Sequence, residues 1–125
     1  MTTTDELYAA GKSVCAIANN EALYRASINR LYYATYHRCY DYHVALPQPG
    51  SVGNTNGRHN QLINQLNSPS PGLAKDKRAE SVALGKLLRL ICAQRVDSDY
   101  YMDRDISQDS MSIAEQTAES IFVCT

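Results

Sequence analysis

The chain has 125 residues, 20% of them charged, and a formal net charge of −1. That length predicts one domain over residues 1–125, and so small a charge excludes a global basic field that would hold nucleic acid, leaving only a local patch for the purpose. No stretch approaches the roughly 18 apolar residues of a membrane span, and the start MTTTDELYAAGKS lacks the pattern of a signal peptide, so a cytoplasmic chain without membrane contact is expected.

In chain order, Thr4 with Asp5 and Glu6 marks a helix start, and LYAAGKSVCAIA continues it to about residue 18 with Gly11 as a weak point. Asn20 caps a second helix, and EALYRASINRLYYATYHRCYDYHVA then runs without Gly or Pro until Pro47. PQPGSVGNTNG is dense in turn formers and predicts a loop. RHNQLINQL is a short third helix that stops at the loop SPSPG. From about Leu73 to Gln94 an amphipathic segment with Val82, Leu87, Leu90 and Ile91 predicts a fourth. DSDYYMDRDIS shows no period and is expected to be a connector. Ser107 then caps a last helix through SMSIAEQTAESIFVC, whose Met111, Ala114, Ala118, Ile121 and Phe122 follow helical spacing. No segment alternates like a strand, so the expected fold is an all-α, up-and-down bundle of four to five helices.

Cys15, Cys39, Cys92 and Cys124 contain no C-x-x-C pair and fall in helical segments, as small core residues do. Nine tyrosines stand against one phenylalanine and no tryptophan. Tyrosine brings apolar bulk and a hydroxyl that needs a partner, which points to a partly wet pocket or interface.

On the second helix, Arg30 and His37 are seven residues apart, about 20° around the axis and roughly 10.5 Å along it. Tyr33 and Ala34 lie between them, and Tyr40 and Asp41 extend the face. Long side chains there can fold toward each other over Ala34 or reach one phosphate. Histidine titrates near neutrality and serves as general acid or base; arginine keeps its charge and offers a planar fork to phosphate oxygens. Together they suit metal-free cleavage of an RNA phosphodiester. One histidine does not comfortably make both proton transfers, so this reading favours a homodimer with two copies of the face. Taken alone, the pair decides little, since an edge arginine and a tyrosine-bonded histidine at helical spacing are common.

SINRLYYATYHRC resembles the signature helix of the HEPN domain family, of the form Ser-x-Arg-x-Tyr-Tyr-Ala-x-Phe/Tyr-His. Arg30, Tyr32, Tyr33, Ala34, Tyr36 and His37 match, and Asn29 displaces Ser27 by one place. GRHNQLINQL is similar to the family's central segment, with His59 before a short apolar helix. RVDSDYYM is similar to its Arg-x-x-Ala-Asp-Tyr stretch through Arg95, Asp99 and Tyr100, with one extra residue. The resemblance covers about residues 20–104. It implies a dimeric helical bundle, often a ribonuclease toxin or defence component, with Arg30 and His37 as the catalytic Arg-x6-His pair. It also implies a small nucleotidyltransferase antitoxin in many relatives, some of which modify a tyrosine near the histidine; Tyr40 is the nearest candidate here. Other relatives are non-catalytic nucleotide- or protein-binding modules. The chain lacks the Arg-Asn-x-x-x-His stretch that the better characterised toxin branch carries near its C-terminal end.

The expected site is therefore Arg30 and His37, with Tyr33, Tyr40, Arg58, His59, Arg95, Asp99 and Tyr100 in supporting or substrate-binding positions. Arg95, Asp99 and Tyr100 would brace the helix face near His37. Arg25, Arg38 and Arg58 are further candidates for a positive patch. Cys39 and His43 have a zinc-compatible spacing but are two ligands only, so no metal is expected. Asp97, Asp99, Asp103 and Asp105 with Arg95 and Arg104 suggest a salt-bridged surface segment rather than a cation site. No phosphate loop, dinucleotide fingerprint or Ser-His-Asp set is present, and no cofactor is expected.

Overall fold

A cap precedes three of the helices. In the computed structural model, which describes residues 1–54 and 57–125, Thr3 rather than Thr4 caps α1 (Thr4–Ile17): its hydroxyl accepts from the Glu6 amide and Glu6 accepts from the Thr3 amide, both at 3.1 Å. Asn20 caps α2 (Glu21–Ala45) by accepting from the Leu23 amide at 2.9 Å. Ser107 does the same for α5 (Gln108–Cys124) through the Ser110 amide. α3 (Arg58–Asn67) and α4 (Lys75–Tyr100) start without a side-chain cap. Among the described residues there is no strand, and no helix is long and apolar enough to cross a membrane. The loop expected after Pro47 is irregular backbone at residues 49–54; its Thr55 and Asn56 lie outside the described residues.

The contacts give the directions. Gly11 meets Leu31 and Thr4 meets Arg38, so α1 and α2 are antiparallel. Arg25 reaches the end of α4 while Tyr42 bonds Glu80 near its start, so α2 and α4 are antiparallel as well. α5 returns beside α4, with Gln94 bonded to the Ser110 carbonyl, and finishes at Arg38 through Thr125. The architecture is an up-and-down helical bundle with α3 laid along α4. α2 is its central helix, packed by α1, α4 and α5. That explains why its sequence shows no single apolar stripe: Ile28, Leu31, Tyr32, Ala34, Thr35 and Cys39 are all buried, on several sides. Each fully buried aliphatic such as Leu31, Leu88, Ile91 or Ile121 stabilises the fold by about 1.5–3 kcal/mol.

Three expectations need correction. Gly11 does not weaken α1, which runs through it; a Cβ there would lie 3.1 Å from Leu31 Cδ2 and 3.3 Å from the Leu31 amide nitrogen, so its absence lets α1 and α2 approach closely. On α4 the buried positions are Ser81, Leu84, Gly85, Leu88, Ile91 and Ser98, whereas Val82 and Leu87 are half-buried and Leu90 faces outward. The segment from Asp97 to Tyr100 is the last turn of α4 rather than connector. Its period is hidden because polar contacts hold that turn: Arg95 pairs with Asp99, Arg104 with Asp97, and Ser98 bonds the Gln94 carbonyl. Cys15 and Cys39 are core residues as expected; Cys92 is half-buried and Cys124 is exposed.

Candidate functional site

α3 runs antiparallel to α4, since Leu66 meets Ser81 and Asn64 meets Arg89. Its first turn therefore points at the far end of α4 and carries Arg58 and His59 to Arg95. The one α2 face left open there holds Asn29, Tyr32, Tyr33, Tyr36 and His37, at positions that a helix places together. These eight side chains enclose a cleft of about 440 Å³.

The cleft is organised around one hydroxyl and one guanidinium. Tyr32 Oη lies 2.7 Å from His59 Nδ1, and burial holds that phenol well above its ordinary range, so it stays a hydroxyl. Arg95 lies over the Tyr32 ring at 5.6 Å and the Tyr100 ring at 5.2 Å. Its Nε is 2.8 Å from Asp99 Oδ2, which also accepts from Asn29 Nδ2 at 2.8 Å. Arg58 is exposed, and among the described residues no carboxylate pairs with it. The Tyr36 ring separates the imidazoles, 5.4 Å from His37 and 4.5 Å from His59. Burial first, then Arg95, Arg58 and His37, push His59 below the usual histidine range, which favours its neutral form.

Most of the expected site residues meet here. Tyr33, His37, Arg58, His59 and Arg95 line the cleft, and Asp99 and Tyr100 hold Arg95. Tyr40 joins Tyr36, His37 and Arg58 around an adjoining depression of about 270 Å³. His37 thus stands where these hollows meet, with a third formed by the start of α1, Arg38 and Asp41. Arg30 is different. It is exposed, its Nε and Nη2 are held by the neighbouring Asn29 Oδ1 at 3.0 and 2.7 Å, and it does not line the cleft. Nor does it fold toward His37 over Ala34. Ala34 is fully buried, on the stripe of Leu31 and Arg38 that meets α1. The Tyr33 ring stands between the pair instead, 5.2 Å from the Arg30 guanidinium and 4.5 Å from the His37 ring.

Two arginines expected near the patch have other work. Arg25 is buried against the end of α4, and Arg38 bonds Thr4 and Thr125 over the Phe122 ring. Asn29, Tyr32 and Tyr36 were not among the expected site residues, although their i, i+3, i+7 spacing with Tyr33 and His37 carries the signal. Cys39 is buried and its thiol is pushed up to about 12; the buried His43 Nδ1 has no hydrogen-bond partner. Among the described residues no three His, Cys, Asp or Glu side chains converge as metal ligands would.

Two guanidinium groups, two imidazoles and the exposed Tyr33 ring in one cleft can hold an anion, move protons and offer an aromatic surface. Comparison with models of known protein families, with curated proteins and with solved structures finds no match to this chain.

Proposed function

We propose that the chain is a metal-independent endoribonuclease that takes single-stranded RNA into this cleft. The convergence of Arg58, Arg95, His37 and His59 carries the reading, because it gathers positive charge and titratable nitrogen at one place on a chain of net charge −1. Arg58 and Arg95 neutralise the scissile phosphate, His37 moves protons, and the exposed Tyr33 ring offers a surface to a base. The setting, a toxin–antitoxin or phage-defence system with a nucleotidyltransferase-type antitoxin, rests on the resemblance of the second helix to the HEPN signature. The reading includes a homodimer: Tyr40 and Val44, 47% and 52% exposed, lie beyond the cleft on α2 as apolar surface that a second copy would cover.

Purified protein should degrade RNA with chelator present, and Arg58→Ala and His37→Ala should each abolish this while remaining folded. Intact RNA with all three proteins would refute it. One observation favours a second reading, a non-catalytic nucleotide- or protein-binding module: Arg30 lies outside the cleft that holds His37. In that case added nucleotide should raise the melting temperature without any cleavage.

A further inference from the structure

We propose that one protomer carries both proton-transfer groups, His59 taking the proton of the 2′-hydroxyl and His37 returning one to the leaving 5′-oxygen. This deepens the ribonuclease reading and rests on it. Arg30 and His37 as a pair contain one titratable group and therefore need a second copy of the chain to complete the acid–base set. The cleft removes that need, since α3 delivers a second imidazole across the Tyr36 ring from the first.

The two histidines are held differently. His59 Nδ1 is engaged by the Tyr32 hydroxyl, and its ring is flanked by Tyr32 at 5.5 Å and Tyr36 at 4.5 Å. The proposed role requires the tautomer in which Nδ1–H donates to that oxygen, leaving Nε2 with the lone pair that a general base needs. The groups facing it are Arg58, Arg95, His37 and the hydroxyls of Tyr32 and Tyr36, with Asp99 behind Arg95. Burial first, then these cations, disfavour the imidazolium and favour the neutral ring that the proposed base needs. His37 lies edge-on to the Tyr33 and Tyr36 rings, and Tyr40, Arg58, Arg38, Asp41 and Asp5 line the hollows that meet at it. In the proposed step His37 gives a proton to a departing oxygen.

The step balances within the cleft. His59 Nε2 takes the proton from O2′ as that oxygen bonds to phosphorus. The P–O5′ bond breaks with its electron pair going to O5′, which accepts the proton of the His37 imidazolium. The products are a 2′,3′-cyclic phosphate and a 5′-hydroxyl, with nothing oxidised. Arg58 and Arg95 carry the charge on the non-bridging oxygens throughout.

Two substrates separate the roles: a diribonucleotide, whose 5′-oxygen needs a proton, and uridine 3′-(4-nitrophenyl phosphate), whose leaving group does not. His37→Gln should lose about 100-fold or more on the first and stay near wild type on the second. His59→Gln should lose on both, and its amide keeps a partner for Tyr32. Tyr32→Phe, which releases Nδ1 without changing the base, should slow both by about tenfold and decides the matter if His59→Gln melts early. Wild-type rates on both substrates with His59→Gln, or with Tyr32→Phe where it is the deciding variant, overturn the inference and leave the ribonuclease reading standing if His37→Gln is impaired. A reversed pattern, with His59→Gln rescued by the activated ester and His37→Gln not, overturns the assignment of roles. A wild-type chain that cleaves neither substrate ends both readings.

Discussion

Arg25→Met should be among the most damaging single changes in this chain. The guanidinium is buried, and its nitrogens donate to the carbonyls of Asp97 (3.3 Å), Ser98 (2.8 Å), Tyr101 (3.3 Å) and Arg104, and to Glu21 (3.0 Å). It closes the end of α4, whose Asp97 and Tyr101 carbonyls also take the Tyr101 and Arg104 amides, and where the helix dipole favours a cation. Methionine keeps much of the apolar stem but removes the donor to the Ser98 and Arg104 carbonyls, and each buried acceptor left unsatisfied costs about 1–3 kcal/mol. A domain of this kind has about 5–15 kcal/mol in total. With a urea slope of about 1–3 kcal/mol per molar, the unfolding midpoint followed by circular dichroism should fall by roughly 2 M. Glu21→Gln should cost far less, since that carboxylate is about half exposed. The loss also reaches the cleft, because the turn that Arg25 holds carries Asp99 and Tyr100 against Arg95. A midpoint within 0.3 M of wild type, an illustrative threshold of about 0.5 kcal/mol on that slope, would refute the cap as the cause of α4 reaching Tyr100.

Gly50→Ala should destabilise by about 1–3 kcal/mol in the same urea assay, because its Cβ would run into the Gln65 carbonyl oxygen and lie 2.6 Å from that of Ser68, both backbone atoms at the end of α3. Acid should weaken the fold through His43 and His59, both below the usual histidine range, His43 by burial and His59 by burial and its cationic neighbours. Each binds a proton more readily unfolded, so this stability is fully present above about pH 6.5 and is lost as pH falls through the lower folded values. Urea midpoints at neutral and mildly acidic pH should show that slope, and His43→Gln should flatten it. On single-stranded RNA, log K against log salt should fall with a slope of about −0.7 per phosphate neutralised, and Arg58→Ala should reduce its magnitude by about that amount in a fluorescence titration. An unchanged slope would show that Arg58 does not meet the backbone.

The bundle was legible because caps and breakers are local. Asn20, Ser107, Pro47 and the Ser/Pro-rich stretch before Leu73 bracket α2, α5 and the loops around α3 within a residue or two. The end of α4 was not legible, since its partner Arg25 lies more than 70 positions away. The site divides the same way. Tyr33 and His37 are neighbours on one helix and show themselves by spacing, while Arg58, His59 and Arg95 reach them only through the direction of α3. Resemblance, rather than any period, singles out His59 and Arg95, while Arg58 is expected only as a cation of a local patch. Helical angle alone put Arg30 and His37 on one face, and it could not show that Ala34 faces α1 or that Tyr33 fills the space between them.

The placement of the cleft follows from the burial of α2. Three helices pack on the central one, so it has a single stripe left, and the short α3 covers only part of it with its first turn. A fully apolar stripe would remain as exposed surface and invite association. Tyrosine and histidine solve the packing differently: their rings complete the core while their polar atoms bond one another, as Tyr32 does with His59. Those polar atoms cannot balance charge, however, and the guanidinium groups arriving from α3 and α4 find one carboxylate, Asp99, beside Arg95. Arg58 has none among the described residues. An anion laid along this stripe would supply the missing charge, and on the proposed reading that anion is an RNA strand with a base against the exposed Tyr33 ring.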